Sequence, residues 1–491
     1  MSLRRGCWLL LAGWAGCLQA QTFPVLRWSR FFDNRGEDYP AAMVRTADGL
    51  LVLGGVTHLA ENGETNIWLV KTGPDGALHW EQEISVSGCE ALYALAPDAE
   101  GGVLFAGVAN SLLSESELGA ETYGAQAFAG QLDQEGRILW MQGYGGSSLD
   151  LFSAAAPDSA GAWLLAGHSH SRDGQTGGNQ GQSDCWIFGM APRGLPRFSR
   201  VIGGRGAEQT AALTRSSSGG YLLAGQSEPL NGPAQAFLMR LSRQGYPAWD
   251  RSYPRGAASR IAALAEAPDG RIFAAGEVEQ GAQRDSWWMR LTAEGKLIYE
   301  QQMRQPGDDW LTCAASCGPR GYIAGGAAVT AAAGGKGGLD AVLLRLDLKG
   351  TVIWQSRYGG PADESCSAVL EYEPGMLIAL GPKRNTFGAQ ASGNADYWML
   401  RVDELPADSI RASIFVRAAD NRIDRRTPTR FRAQCAYGDR FRWDFGDGTS
   451  SGERNPIKSY DYPGMYDVTL TVFVNETASQ TVILPRPLEV W

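Results

Sequence analysis

The chain has 491 residues, with 44 Lys+Arg against 53 Asp+Glu, a formal net charge of −9. An acidic chain with scattered positive charge lacks the basic face that nucleic-acid binding requires, and the length fits two to four domains. Its 63 glycines and 16 tryptophans mean many tight turns and many large core side chains, which excludes disorder and points to a large all-β protein.

Residues 1–20 read as a secretory signal peptide. Arg4 and Arg5 supply the charged start, Cys7 to Gly16 form an apolar stretch too short to span a bilayer, and Leu18-Gln19-Ala20 offers a small residue for cleavage before Gln21. Lipoprotein processing at Cys17 is the second reading. No later stretch is long and apolar enough for a membrane helix, so the mature chain is expected outside the cytoplasm: periplasmic, surface-associated or secreted. Cys89, Cys185, Cys313, Cys317, Cys366 and Cys435 remain after cleavage. Their spacing shows neither a dense disulfide framework nor a zinc site, and they read mostly as buried thiols.

A repeat then takes over. An aromatic anchor recurs at Trp28, Trp80, Trp140, Phe198, Trp249, Tyr299 and Trp354, at intervals of roughly 50–60 residues. A glycine turn precedes most anchors, as in Asp75-Gly76-Ala77-Leu78-His79-Trp80 and Leu348-Lys349-Gly350-Thr351-Val352-Ile353-Trp354. Each repeat holds four strand-like pieces: a small-residue strand, a strand after a Gly turn, an alternating strand and the anchor strand. Four strands per repeat of this length make a β-propeller blade. A set of three strands ends at Tyr397–Val402 with no anchor after it, while Leu26–Phe32 is a spare anchor strand at the other end. The N-terminal strand is therefore expected to complete the last blade and remove the open edge. The expectation is a seven-bladed β-propeller over 21–404, a linker over 405–411 and a second domain over 412–491.

The D-x-W strand, LDxxGxxxW turn and YGG-x-x-x-D loop resemble the repeats of bacterial secreted seven-bladed propellers. The turn is also similar to the repeats of quinoprotein propellers and to the Asp-box of sialidases; no blade supplies the full Asp-box. After the linker, Phe441-Arg442-Trp443-Asp444-Phe445-Gly446-Asp447-Gly448-Thr449 is followed by Tyr460, Pro463-Gly464, Tyr466 and Val468–Val472. This resembles the PKD domain, with its WDFGDG and YxxPGxYxVTLTV signatures. The resemblance implies an immunoglobulin-like β-sandwich serving as a spacer or binding module, with Trp443, Phe445, Tyr460 and Tyr466 as core anchors. Asp444 and Asp447 would flank Gly446 and Gly448 in a tight hairpin, and Lys458, where the family often carries His, reads as a surface change. Signal, repeats and PKD domain together look like an envelope protein of the Bacteroidota kind.

In such blades one face carries tight turns, such as Pro268-Asp269-Gly270, and the other carries long loops, expected near 57–65, 108–126, 168–183, 226–235, 277–285, 327–340 and 381–396. Long loops on a rigid scaffold are where function concentrates. Most blades bring an acidic residue to that face: Asp38, Asp150, Glu208, Asp308 or Asp309, Asp363 or Glu364, with Arg260 near this place in the fifth blade. These read as turn-building groups, a cation-binding ring being the alternative. His168-x-His170 with Asp173 could approach a metal, but no third and fourth ligand can be named, and no metal or cofactor is assigned. The sequence contains no nucleophile elbow, phosphate-cradling loop or zincin motif, so no residue is assigned a catalytic role. The candidate binding residues are Asp150, His168, His170, Asp173 and Asp363. The expected function is an exported, non-enzymatic binding or scaffold protein whose long-loop face takes an envelope protein or a glycan. The alternative is a propeller enzyme, either a glycan hydrolase or lyase or a quinoprotein-like oxidoreductase.

Overall fold

The computed structural model describes residues 22–58, 64–85, 90–109, 125–158, 161–329, 338–360, 362–384, 394–474 and 478–491. Residues 1–20, read above as a signal peptide, and Cys89 lie outside them. The chain divides into two compact units, Pro24–Glu404 and, with Thr22 and Phe23, Leu405–Trp491. No helix among the described residues is long and apolar enough to cross a membrane.

The first unit is a seven-bladed β-propeller. Six four-stranded sheets follow in strict chain order, and the seventh joins three late strands to the N-terminal strand Thr22–Phe32, which hydrogen-bonds to Ala395–Pro406. The innermost strands are Glu37–Arg45, Glu90–Pro97, Asp150–Pro157, Ala207–Arg215, Ala258–Glu266, Asp309–Ser316 and Ala368–Glu373. Each packs against the next, and the last against the first, so the ring is closed. Closure through the N-terminal strand leaves no blade with a missing fourth strand, the liability anticipated from the spare anchor. The same strand supplies Trp28, Phe31 and Phe32 to the cores flanking blade seven.

Two sets of glycines explain the repeat. Gly76, Gly136, Gly194, Gly245, Gly295 and Gly350 take positive φ in the turn before a fourth strand. A Cβ built on each would strike the anchor strand of the preceding blade: Trp28 and Arg30 at Gly76, then Trp80, Trp140, Phe198, Trp249 and Tyr299 in turn. Anchor and turn are thus one inter-blade contact, an aromatic ring lying on a bare backbone. Trp354 breaks the series, because blade seven takes its fourth strand from the N-terminus and has no such turn. Its indole is buried and donates to Glu404 Oε1 at 2.9 Å. Arg345 and Arg320 hold the same carboxylate, at 2.9 and 3.2 Å. The second set, which includes Gly55, Gly167 and Gly276, faces a β-bulge on the innermost strand, where a Cβ would fall on the carbonyl of Tyr39, Leu151 or Arg260.

The second unit is a small β-sandwich. Its main sheet pairs Ser450–Ser451, Arg440–Asp444, Thr469–Val474 and Ala478–Ile483. Trp443 is fully buried, stacked 6.2 Å from Phe445 and edge-on to Phe431 at 5.8 Å, and its indole donates to the Glu453 carbonyl. Asp444 accepts from the Gly446 N–H and Asp447 from the Thr449 N–H, with Gly446 and Gly448 at positive φ, so the acidic residues shape the hairpin. Tyr460 lies 4.5 Å from Tyr466, just before and after Pro463-Gly464, and donates to the Phe445 carbonyl. Lys458 is more than a surface change. It pairs with Asp447 at 2.6 Å and lies over the Phe445 and Tyr460 rings. The stretch 405–411 is packed within this unit: Ile410 is buried, and its carbonyl accepts from the Ala436 N–H.

Candidate binding surface at the loop mouth

The long-loop face is built by a repeated turn. An acidic side chain accepts a hydrogen bond from the N–H four residues before it: Asp38 from Asn34, Asp150 from Gly146, Glu208 from Gly204 and Glu364 from Gly360, at 2.7–2.9 Å. The carboxylate therefore ties its own inter-blade turn, which is the turn-building role read from its recurrence. The structure resolves the two ambiguous positions. Asp309 and Glu364 are the buried members, while Asp308 and Asp363 are the exposed or half-exposed neighbours. Blade two contributes Glu90, which the sequence reading missed because its turn lacks the YGG spacing. In blade five Ser259 occupies this slot, bonded to the Tyr253 carbonyl and the Ala236 N–H, and Arg260 is the next residue.

The residue after the framework position is half-exposed or exposed in every blade. It is Tyr39, Ala91, Leu151, Gln209, Arg260, Trp310 and Ser365 from blade one to seven. Framework and variable positions thus alternate at the same end of the innermost strands. Arg284 lies over the Trp310 ring at 4.3 Å.

Four of the five candidate residues belong to blade three. Asp150 is fully buried, its oxygens taken by Ser169, Ser171 and the Gly146 N–H. It supports the loop from below. Asp173 accepts from the Ser147 N–H at 2.7 Å and ties the loop after residue 170 to the neighbouring turn. His168 lies near the end of the strand Trp163–Ser169 and His170 directly follows that strand, with ring centroids 6.1 Å apart. They do not form a three-ligand group with Asp173; among the described residues such a group is Asp33, Asp38 and Asp396. Burial pushes the Asp38 carboxyl up to about 7, and the charges of Asp396 and Asp33 act the same way. Asp363 stands apart, in the turn between blades six and seven, accepting from the Leu339 N–H at 2.8 Å. The loop expected over 277–285 is instead a two-residue turn, because Ile272–Gln280 and Gln283–Leu291 stay paired to their ends and Gly281 takes positive φ.

Burial drives the His168 imidazole down to about 4, and the nearby positive groups His170 and Arg260 push it the same way. The unfolded residue protonates near 6.5, so stability is fully present above that pH and is lost as pH falls toward 4. A His168→Gln chain should lose the component of acid destabilisation between pH 6.5 and 4, on the order of 3 kcal/mol. Urea titrations of both chains across that range measure it.

The opposite mouth is not featureless. A cavity of about 600 Å³ lies at the tight-turn ends of blades four to six, lined by Arg215, Arg243, Ser216, Ser217, Glu266 and Ser316 among others. Glu266 accepts from Ser216 Oγ and the Ser217 N–H.

Residues 414–483 match the PKD domain. No curated protein matches the chain. Similar solved structures include the Neurospora crassa Pan2 WD40 domain, at 10% identity and TM-score 0.45, covering 78% of this chain and 96% of that one. Chaetomium thermophilum Sqt1 is similar at 13% identity and TM-score 0.42, over 78% and 98%. The K499G mutant of NanB sialidase from Streptococcus pneumoniae is similar at 10% identity and TM-score 0.39, over 78% and 71%.

Proposed function

We propose that this is an exported, non-enzymatic binding and scaffold protein of the bacterial cell envelope, holding a protein or glycan partner at the long-loop mouth of its propeller. The PKD unit serves as spacer or adhesion module. One observation carries this reading. The seven blades are an internal alignment in which the turn-tying position is acidic in six, whereas the exposed position beside it is Tyr39, Ala91, Leu151, Gln209, Arg260, Trp310 or Ser365. A scaffold that holds its framework and varies its exposed face is suited to recognition. Tyr, Trp and Arg are the residue types that dominate binding energy, and this mouth offers all three.

The test is capture from envelope extract, together with a glycan array, comparing wild type with Trp310→Ala, Tyr39→Ala and Arg260→Ala. Losses of tenfold or more are expected for at least one substitution, the size of a binding hot spot. Unchanged capture by all three, or turnover on a glycan panel, would overturn the reading.

The cavity at the tight-turn mouth favours a second reading, in which a small anionic ligand binds Arg215 and Arg243. Its volume lies in the range of small-molecule sites, about 300–1,000 Å³. Loss of binding in Arg215→Ser with the loop-mouth variants unaffected would select it.

A further inference from the structure

We propose that Asp33, Asp38 and Asp396 form a Ca²⁺ site that clasps the ring where its last blade meets its first. The three come from different sides of the closure. Asp33 follows the N-terminal strand, Asp38 is the second residue of the innermost strand of blade one, and Asp396 is the second residue of the third strand of blade seven. Each offers a carboxylate oxygen within 4.8 Å of the other two. Oxygens sharing one Ca²⁺ at about 2.3–2.6 Å are separated by at most ~5 Å, a bound this group meets. Asp38 and Asp396 are fully buried, and neighbouring buried carboxylates are costly without a compensating cation.

A second observation points into the same spot. Asp38 Oδ2 is bound by the Asn34 N–H, but its Oδ1 is buried and has no hydrogen-bond partner. The Thr57 hydroxyl, opposite Asp38 in the strand register, is also buried and outside hydrogen-bonding geometry. A buried carboxylate oxygen without a hydrogen-bond partner, on a residue grouped with two more carboxylates, is what a hard cation takes up.

The repeat supplies its own comparison. Acidic pairs also form between blades three and four, five and six, and six and seven. Side chains compensate one member of the last two, while Asp184 Oδ1 and Asp309 Oδ2 are, like Asp38 Oδ1, buried without a hydrogen-bond partner. Gln283 and Gln302 donate to Asp285, each at 2.8 Å, and Lys383 lies 3.6 Å from Glu364. The slot five residues before the framework acid is Gly145, Gly203 and Gly359 in blades three, four and seven. A Cβ built there would touch both members of the local polar pair. In blade one that slot is Asp33, so the third carboxylate grows from the position that aims at the pair.

Isothermal titration of the chelator-treated full chain with CaCl₂ tests this, with thermal unfolding in parallel. A single site of about 10⁻⁴ M or tighter is expected, with a Ca²⁺-dependent rise in Tm. Asp33 is exposed, and Asp33→Gly restores the residue used by other blades, so this variant and Asp33→Asn should fold. Both should bind at least tenfold more weakly and lose the Tm rise. Three results would overturn the proposal: no Ca²⁺ binding up to ~10 mM, well above the weakest sites of this class; wild-type affinity in both variants; or equal affinity for Mg²⁺.

Discussion

Replacing Trp443 with alanine is expected to unfold the second unit and leave the propeller folded. Trp443 is fully buried, stacked on Phe445 and packed against Phe431. Removing a buried Trp costs about 3–5 kcal/mol. The Glu453 carbonyl also loses its indole donor, which adds roughly 1–3 kcal/mol where the group stays buried. A domain of this size has only about 4–13 kcal/mol in total. Scanning calorimetry of the wild type should resolve two transitions, one for each compact unit, and only the propeller transition should survive in Trp443→Ala. Limited proteolysis should then remove the C-terminal region and stop. Loss of both transitions together would mean that the units fold as one.

Deleting residues 25–32 is expected to open the propeller. The N-terminal strand is the outer strand of blade seven, and it carries Trp28, Phe31 and Phe32 against two inter-blade cores. At about 1.5–3 kcal/mol for each large apolar side chain fully buried, three partly buried ones contribute on the order of 5 kcal/mol. Arg27 also forfeits its 2.7 Å pairing with Asp403. The exposed edge of Ala395–Pro406 would then be a template for another chain. The expected outcome is a lower denaturation midpoint and concentration-dependent oligomers by size-exclusion chromatography. A monomer with the wild-type midpoint would contradict the role given to this strand.

The sequence by itself determined the all-β class, the blade count, closure by the N-terminal strand and the PKD signature. Those features rest on local chemistry. A turn that needs positive φ selects glycine, a blade core selects alternating apolar residues, and a chain that repeats both writes its period into the sequence. What the period means was decided in three dimensions. The anchors looked like core residues of their own blades, yet each of the first six lies on a turn of the next blade, most of them directly on its glycine, a contact between residues about 50 positions apart. Trp354 looked like one more anchor, but its partner is Glu404, because the blade that would supply the turn is completed by the other end of the chain.

The candidate site was less legible for the same reason. Asp150 recurs in the repeat as prominently as any binding residue, and only packing shows that its oxygens are already used beneath the loop. Asp308 and Asp309, or Asp363 and Glu364, are neighbours that sequence cannot separate, whereas the turn geometry buries one of each pair. Arg260 and Trp310 read as ordinary strand residues until the ring brings their positions to one mouth. Asp33 and Asp396 are 363 positions apart, and their proximity exists only because the ring closes. Local pattern fixes what each blade is. The juxtaposition of blades, which burial and inter-strand hydrogen bonding impose, fixes which polar groups remain free to act.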